Sequence, residues 1–280
     1  MKQAVVPLLP DIFGKRLTEV NTEGLEEIRM RVGQPFLLQY GRGEREFSAK
    51  VEPAHLEEVI RRACRQSVYA CADTLKDGYL TVEGGHRIGV CGSGVYKDGD
   101  IQTLRAPSSL SIRIARQVRG CAQRLLPALQ GSVLILGPPG AGKTTLLRDA
   151  VVQLSDKLRQ RVALVDERGE IAASAGGMPQ LYVGSRTDVL VNIGKAEGIM
   201  MLLRTMNPQW IAVDEITSPA DIQAMVQASY CGVHLLATAH GRDRQDLTGR
   251  PLYRSLMETR VFRTVVLLRE DKHFEYFEVT

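Results

Sequence analysis

Residues 137–145 read Gly137, Pro138, Pro139, Gly140, Ala141, Gly142, Lys143, Thr144, Thr145 and fit the spacing G-x-x-x-x-G-K-[ST]. The apolar run Val133-Leu134-Ile135-Leu136 precedes them and a helix-compatible segment follows, which is the context a phosphate-cradling P-loop requires. Glycines there let the backbone adopt positive φ and turn its N–H groups onto phosphate oxygens, and the helix N-terminus adds partial positive charge. Lys143 is expected to reach the β- and γ-phosphates and Thr144 to ligate Mg²⁺. A glycine-rich turn with an incidental Lys-Thr is the plainer alternative, but strand, loop and helix arrive together with both spacings intact.

Three further stretches bear on a phosphate. Trp210-Ile211-Ala212-Val213-Asp214-Glu215 is an apolar run ending in two carboxylates, and a parallel sheet presents side chains to ligands at such strand ends. Asp214 is expected to hold Mg²⁺ through its hydration shell, and Glu215 to orient or deprotonate an attacking water. A second acidic strand end, Ala163-Leu164-Val165-Asp166-Glu167-Arg168-Gly169-Glu170, belongs to a strand lying between the loop and the 210–214 strand. That insertion argues against the simplest nucleotide-kinase and G-protein order, and the chain has no N-K-x-D guanine-reading motif. Asp166, Glu167 and Glu170 act on metal or water, or Arg168 and Glu170 pair on the surface. In Val233-His234-Leu235-Leu236-Ala237-Thr238-Ala239-His240, even spacing puts His234, Thr238 and His240 on one strand face. That face can offer donors to a γ-phosphate, but it lacks a third ligand at metal spacing, and His234 reads equally well as a structural residue.

The elements that must position these groups divide the chain. At 280 residues, with the P-loop near the midpoint, two domains are expected: a smaller α+β domain over 1–130 and a mostly parallel α/β domain, sheet between helices, over 131–280. Strands are expected at 25–32, 36–40, 78–82, 87–90 and 111–115, with a helix at 55–65. In the second half strands are expected at 132–136, 161–166, 210–214, 233–239 and 261–268, an edge strand at 274–279, and helices at 143–158, 195–206, 219–230 and 252–259. Arg87, Arg113 and Arg116 sit on or beside strands whose other face is apolar. They either coat a solvated face or reach across an interface to a nucleotide.

The net charge of +4 comes from 36 Lys and Arg interleaved with 32 Asp and Glu, a solvated mixed-charge surface with no polybasic arm, so no nucleic-acid partner is expected. Five scattered cysteines without C-x-x-C spacing suggest reduced thiols. Pro7, Pro10 and Asp11 interrupt the N-terminal apolar run, and no segment approaches the ~18–20 apolar residues of a bilayer span. Membrane association is therefore expected only through a partner.

Taken together, GPPGAGKTT, VDERGE, WIAVDE and VHLLATAH follow the order of Walker A, Asp box, Walker B and His box in the type II/IV secretion and pilus ATPases, which this chain resembles. EEIRMRVGQPFLL, GYLTVEGGHRIGVCG, SLSIRIARQVRGC and KAEGIMMLLRTMNP extend the likeness over nearly the whole chain to the stage III sporulation protein AA family. The resemblance implies a RecA-like ATPase domain behind a smaller N-terminal domain, binding ATP and Mg²⁺. It also implies a homo-oligomeric ring, a hexamer, in the mother-cell cytoplasm, docked on membrane-embedded channel proteins between mother cell and forespore. By motif position the Asp-box carboxylates fall on Asp166, Glu167 and Glu170, the catalytic glutamate on Glu215 and the His-box histidine on His240. Arg87 and Arg113 fall where such motors keep nucleotide-reaching arginines. Arg168-Gly169 stands where secretion motors usually have a proline, and Asp214 where many have glycine. Those departures keep two other functions in view: a nucleotide-gated assembly scaffold with slow hydrolysis and, less favoured, a nucleic-acid translocase.

Overall fold

A computed structural model describes residues 1–64, 75, 78–97, 99–175 and 177–279. It forms two compact units, Met1–Arg116 and Gln117–Thr280. The boundary expected at residue 130 thus falls at 116. Residues 117–130 belong to the second unit because Ala122, Leu125 and Leu129 are buried in one cluster with Val133, Ile135, Leu147 and Val151. Asp149 also accepts hydrogen bonds from the Gly120 and Ala122 N–H groups at 2.9 and 2.6 Å.

In the first unit, strands β1 (Leu25–Arg31), β2 (Pro35–Tyr40), β3 (Gly43–Lys50), β4 (Tyr79–Thr81), β5 (Arg87–Lys97) and β6 (Asp100–Arg113) make an antiparallel sheet in the order β3-β2-β1-β6-β5-β4. One face buries Leu25, Ile28, Met30, Phe36, Leu38, Ile88 and Ile112 against Phe13 and Leu17 of the helix Asp11–Glu19 and Leu56 and Val59 of the helix Pro53–Ala63. Phe13 stacks on Phe36 with ring centroids 4.7 Å apart. The expected α+β pattern is present, and the strands expected at 78–82 and 87–90 pair with each other, Tyr79 opposite Gly89. The strand expected at 111–115 is the end of a much longer one. β5 and β6 continue as a ribbon over residues 91–97 and 100–110, whose glycines and polar residues lack the apolar alternation that marks a half-buried strand. The expected helix end at Arg65 and Cys71 lie outside the described residues.

The second unit is built on β7 (Val133–Gly137), β8 (Val162–Asp166), β9 (Thr187–Val191), β10 (Trp210–Val213), β11 (His234–His240), β12 (Thr264–Leu268) and β13 (Phe274–Glu278), in the order β13-β12-β7-β11-β10-β8-β9. All neighbours are parallel except β12 and β13. β7, β8, β10 and β12 are buried at every residue, as parallel strands covered on both faces are. In the sheet β11, not β8, lies between β7 and β10, and β8 stands beyond them. The fold is therefore mixed α/β with a parallel sheet, as expected, plus the edge strand β9 and a short helix Arg244–Gly249 that carry no strong period.

Helix Lys143–Val152 follows the loop and continues into a π turn over Gln153–Lys157. Helix Pro219–Tyr230 starts on a capping box of Ser218 and Asp221. Helix Lys195–Thr205 sits so near the sheet that a Cβ on Gly198 would lie 2.7 Å from Val165 Cγ1. Helix Pro251–Glu258 closes the same side with Tyr253 and Leu256.

Candidate functional site

Parallel register sets the site before any side chain is considered. Gly137 pairs with His240, Ala237 with Val213, and Val213 with Val165. The C-terminal ends of β7, β11, β10 and β8 therefore reach one edge of the sheet, where the loop 137–144, His240, Asp214 and Asp166 must emerge. Gly140 and Gly142 have φ of +73° and +97°, so the loop uses the conformations that only glycine adopts without strain.

At that edge the Lys143 ammonium donates to the Pro138 carbonyl at 3.0 Å and lies 3.0 Å from His240 Nδ1. Lys143 is 6 % exposed, and burial lowers its pKa, with Glu215 and Asp214 pulling the other way. Because a protonated lysine only donates, Nδ1 accepts here and the His240 proton sits on Nε2, which lies 2.8 Å from Glu215 Oε1. The other Glu215 oxygen is 3.4 Å from Arg168 Nη1. Thr144 donates its hydroxyl to Asp214 Oδ2 at 2.6 Å, and Thr238 donates to Asp214 Oδ1 while accepting the Glu215 N–H at 2.8 Å. Glu215 has φ of +53°, a strained conformation for a residue with a Cβ and a common mark of functional positions.

The Asp-box residues differ in what they contact. Asp166, 2 % exposed, turns inward and accepts the N–H groups of Glu170, Ile171 and Ala172 at 2.9, 3.1 and 2.8 Å. Burial raises its pKa despite those donors. Arg148, from the helix after the loop, donates to the Ile171 carbonyl and to the Glu170 carbonyl, the latter at 2.8 Å. Together they fix the turn that carries Glu167, Arg168 and Glu170. Glu167 pairs with the buried Lys195, Arg168 pairs with Glu215, and Glu170 is exposed. The Asp-box carboxylates thus make different local contacts, while Asp166, Glu167 and Glu170 line one small pocket together with Arg168, Lys195, Asp214 and Glu215.

Sequence reasoning singled out Lys143, Thr144, Thr238, His240, Asp214 and Glu215, and the structure brings these together. His234, at the opposite end of β11, is not among them: it pairs in register with Trp210, its ring 5.0 Å from the indole. Arg148 and Lys195 were missed, since a single cation inside a helical pattern carries no signal until the fold buries it. Arg87 and Arg113 lie in the first unit, directly opposite each other on β5 and β6. Arg87 stacks over the Tyr79 ring at 3.7 Å and Arg116 donates to the Leu25 carbonyl at 2.7 Å. With Arg29, Arg87 and Arg113 line a shallow depression in that sheet.

A Thr hydroxyl beside an Asp carboxylate is a hard oxygen donor set, which fits Mg²⁺, an ion that keeps several waters and takes substrate phosphates as ligands. No cluster of three or more His, Cys, Asp and Glu among the described residues could hold a metal by itself, and no helix among them is long and apolar enough to cross a membrane.

A parallel α/β sheet with this edge is the fold seen in solved secretion and pilus ATPases. The Legionella pneumophila ATPase DotB superposes with a TM-score of 0.60 at 14 % identity, over 96 % of this chain and 81 % of its own. The ADP-bound pilus retraction motor PilT gives 0.63 at 13 % identity, over 90 % of this chain and 76 % of its own. At such identities the likeness is one of fold. The family profile described as sporulation stage III, protein AA matches residues 3–276, and the chain belongs to that family. The stage III sporulation protein AA of Bacillus subtilis (strain 168) is 40 % identical over 283 aligned positions, which cover 96 % of this chain and 91 % of that protein.

Proposed function

We propose that this chain is a Mg²⁺-dependent ATPase. The observation that carries the reading is the direct contact of Thr144 with Asp214, 2.6 Å apart, beside Lys143 and Glu215. Loop lysine, metal-competent oxygen pair and candidate base stand within one edge of the sheet. Sheet order β12-β7-β11-β10-β8 supports a RecA-like assignment, in which the strand after the loop strand in space comes late in the chain. In this mechanism the loop N–H groups and Lys143 bind the β- and γ-phosphates, with the helix Lys143–Val152 adding its N-terminal charge. Thr144 and Asp214 hold Mg²⁺, which when bound neutralises phosphate charge. Glu215 takes a proton from the attacking water, and His240 orients Glu215 and releases Lys143 to the γ-phosphate. Glu167 and Glu170 act from the Asp-box turn on water or metal, and Arg87 and Arg113 serve nucleotide from the first unit.

Family membership supports a setting in sporulation. There the chain works as a homo-oligomeric ring, a hexamer, in the mother cell, and energises a membrane channel to the forespore through protein partners. The likeness in fold to an ATPase and a pilus retraction motor supports a motor of this kind. A specific observation favours a second reading: both Glu215 oxygens are engaged, by His240 and Arg168, which suits a nucleotide-gated scaffold with slow hydrolysis.

One pair of variants tests the proposal. Lys143→Ala abolishes nucleotide binding, whereas Glu215→Gln keeps binding and loses turnover by about 10²-fold or more, the range typical of removing a general base. Equal turnover in Glu215→Gln and the parent chain sinks the ATPase mechanism. A sporulation defect repaired by the turnover-dead chain favours the scaffold.

A further inference from the structure

The turn between β12 and β13 touches the phosphate loop, and nothing in the site described above uses it. Lys272 donates from Nζ to the Gly140 carbonyl at 2.7 Å, and its side chain passes 3.8 Å from where a Cβ on Gly142 would be. This is a held geometry. Lys272 has φ of +70°, its N–H donates to the Arg269 carbonyl at 3.0 Å, and the Arg269 N–H donates to the His273 carbonyl at 2.9 Å. Asp271 accepts the His273 N–H at 3.0 Å. An ammonium has three donors, and Gly140 takes one, so two remain for anionic oxygens at the mouth of the loop.

Beyond Lys272 the chain enters β13, where a groove of about 450 Å³ opens between Gln123, Arg124 and Pro127 on one side and Phe274, Glu275 and Tyr276 on the other. The Arg124 guanidinium lies over the Phe274 ring, 5.6 Å from its centroid. Glu275 is paired with Arg269 at 2.8 Å, which offsets its charge. The other wall belongs to the segment that Asp149 holds against the helix after the loop, with Cys121 Sγ 3.9 Å from the Thr145 carbonyl. The groove's lining therefore starts two residues after each of two loop contacts, Lys272 on the Gly140 carbonyl and Cys121 beside the Thr145 carbonyl. It is walled by flat groups, a guanidinium and two aromatic rings, on which a base can stack.

We propose that the β12–β13 hairpin is the second wall of the nucleotide site, with Lys272 contacting the phosphates and the Arg124–Phe274 shelf taking the purine base. The inference rests on the nucleotide reading above and adds to it the residues that distinguish a nucleotide from a bare polyphosphate.

Binding of Mg-ATP and Mg-tripolyphosphate to the full chain, by calorimetry, tests it. Lys272→Ala is expected to weaken both ligands about tenfold, the loss of roughly one charge-assisted hydrogen bond, with Lys272→Arg restoring most of it. Arg124→Ala is expected to weaken ATP about fivefold and leave tripolyphosphate unchanged, because only ATP has a base to stack. Both positions are exposed, and unchanged melting of the variants shows that they fold. If both variants bind like the parent chain while Lys143→Ala does not bind, the hairpin assignment fails and the nucleotide reading stands. If Arg124→Ala weakens both ligands equally, the base shelf is wrong. If the parent chain binds neither ligand, both readings fall.

Discussion

His86 shows how far a single residue can be read. In the sequence it is one histidine after two glycines; in the structure it is 2 % exposed, and its Nδ1 accepts the Ala115 N–H at 3.0 Å. Burial holds the ring neutral and lowers its pKa from 6.5 to about 4. A base with a depressed folded-state pKa contributes stability that is whole above its unfolded value and is lost as pH falls through the window between the two. Stability of the chain should thus decline between pH 6.5 and 4, by up to about 3 kcal/mol from this group. In His86→Gln that slope should flatten in denaturant titrations across the window, and an unchanged slope excludes the assignment. The motif residues were legible for the opposite reason. Lys143, Thr144 and Glu215 act through spacing along strand, loop and helix, which sequence records, whereas Arg148, Lys195 and His86 act through burial, which it does not.

At the scale of elements, the covered parallel strands read plainly because β7, β8, β10 and β12 each hold an unbroken apolar run, at 133–136, 162–165, 210–213 and 265–268. β3, β9 and the ribbon of β5 and β6 did not, since they are edges or extensions held by ladder hydrogen bonds with little apolar surface to leave a period. Gly198 is informative in the same way. Its missing side chain lets the helix Lys195–Thr205 approach Val165, a stiff β-branched residue with nowhere to move. Gly198→Ala should cost about 1–3 kcal/mol as overpacking, outweighing the ordinary helical gain from alanine, and a thermal melt reads it directly. A melting point equal to or above the parent's would mean that the helix can shift outward freely.

At the scale of the molecule, the unit boundary at 116 in place of 130 has a direct check. A chain beginning at Gln117 keeps Ala122, Leu125 and Leu129 in the core of the second unit and should fold. One beginning at Gly131 uncovers Val133, Ile135 and Leu147 and leaves Asp149 buried without its two N–H donors, a loss of several kcal/mol. Urea unfolding of the two fragments ranks them, and equal midpoints would return the boundary to 130. If the proposed ring completes its own sites, turnover per chain rises with protein concentration in step with oligomer mass. Concentration-independent turnover by a monomer would remove the ring from the mechanism.

Residues 115–117 are each held by a hydrogen bond. Ala115 is tied by its N–H to His86 and Arg116 by its guanidinium to the Leu25 carbonyl. The very next residue, Gln117, clasps the Tyr182 backbone through both ends of its amide, at 2.7 and 3.1 Å. Consecutive residues are thus fastened in different units, Arg116 within the first and Gln117 within the second. Cutting the chain between Arg116 and Gln117 would therefore leave every one of these bonds inside its own fragment.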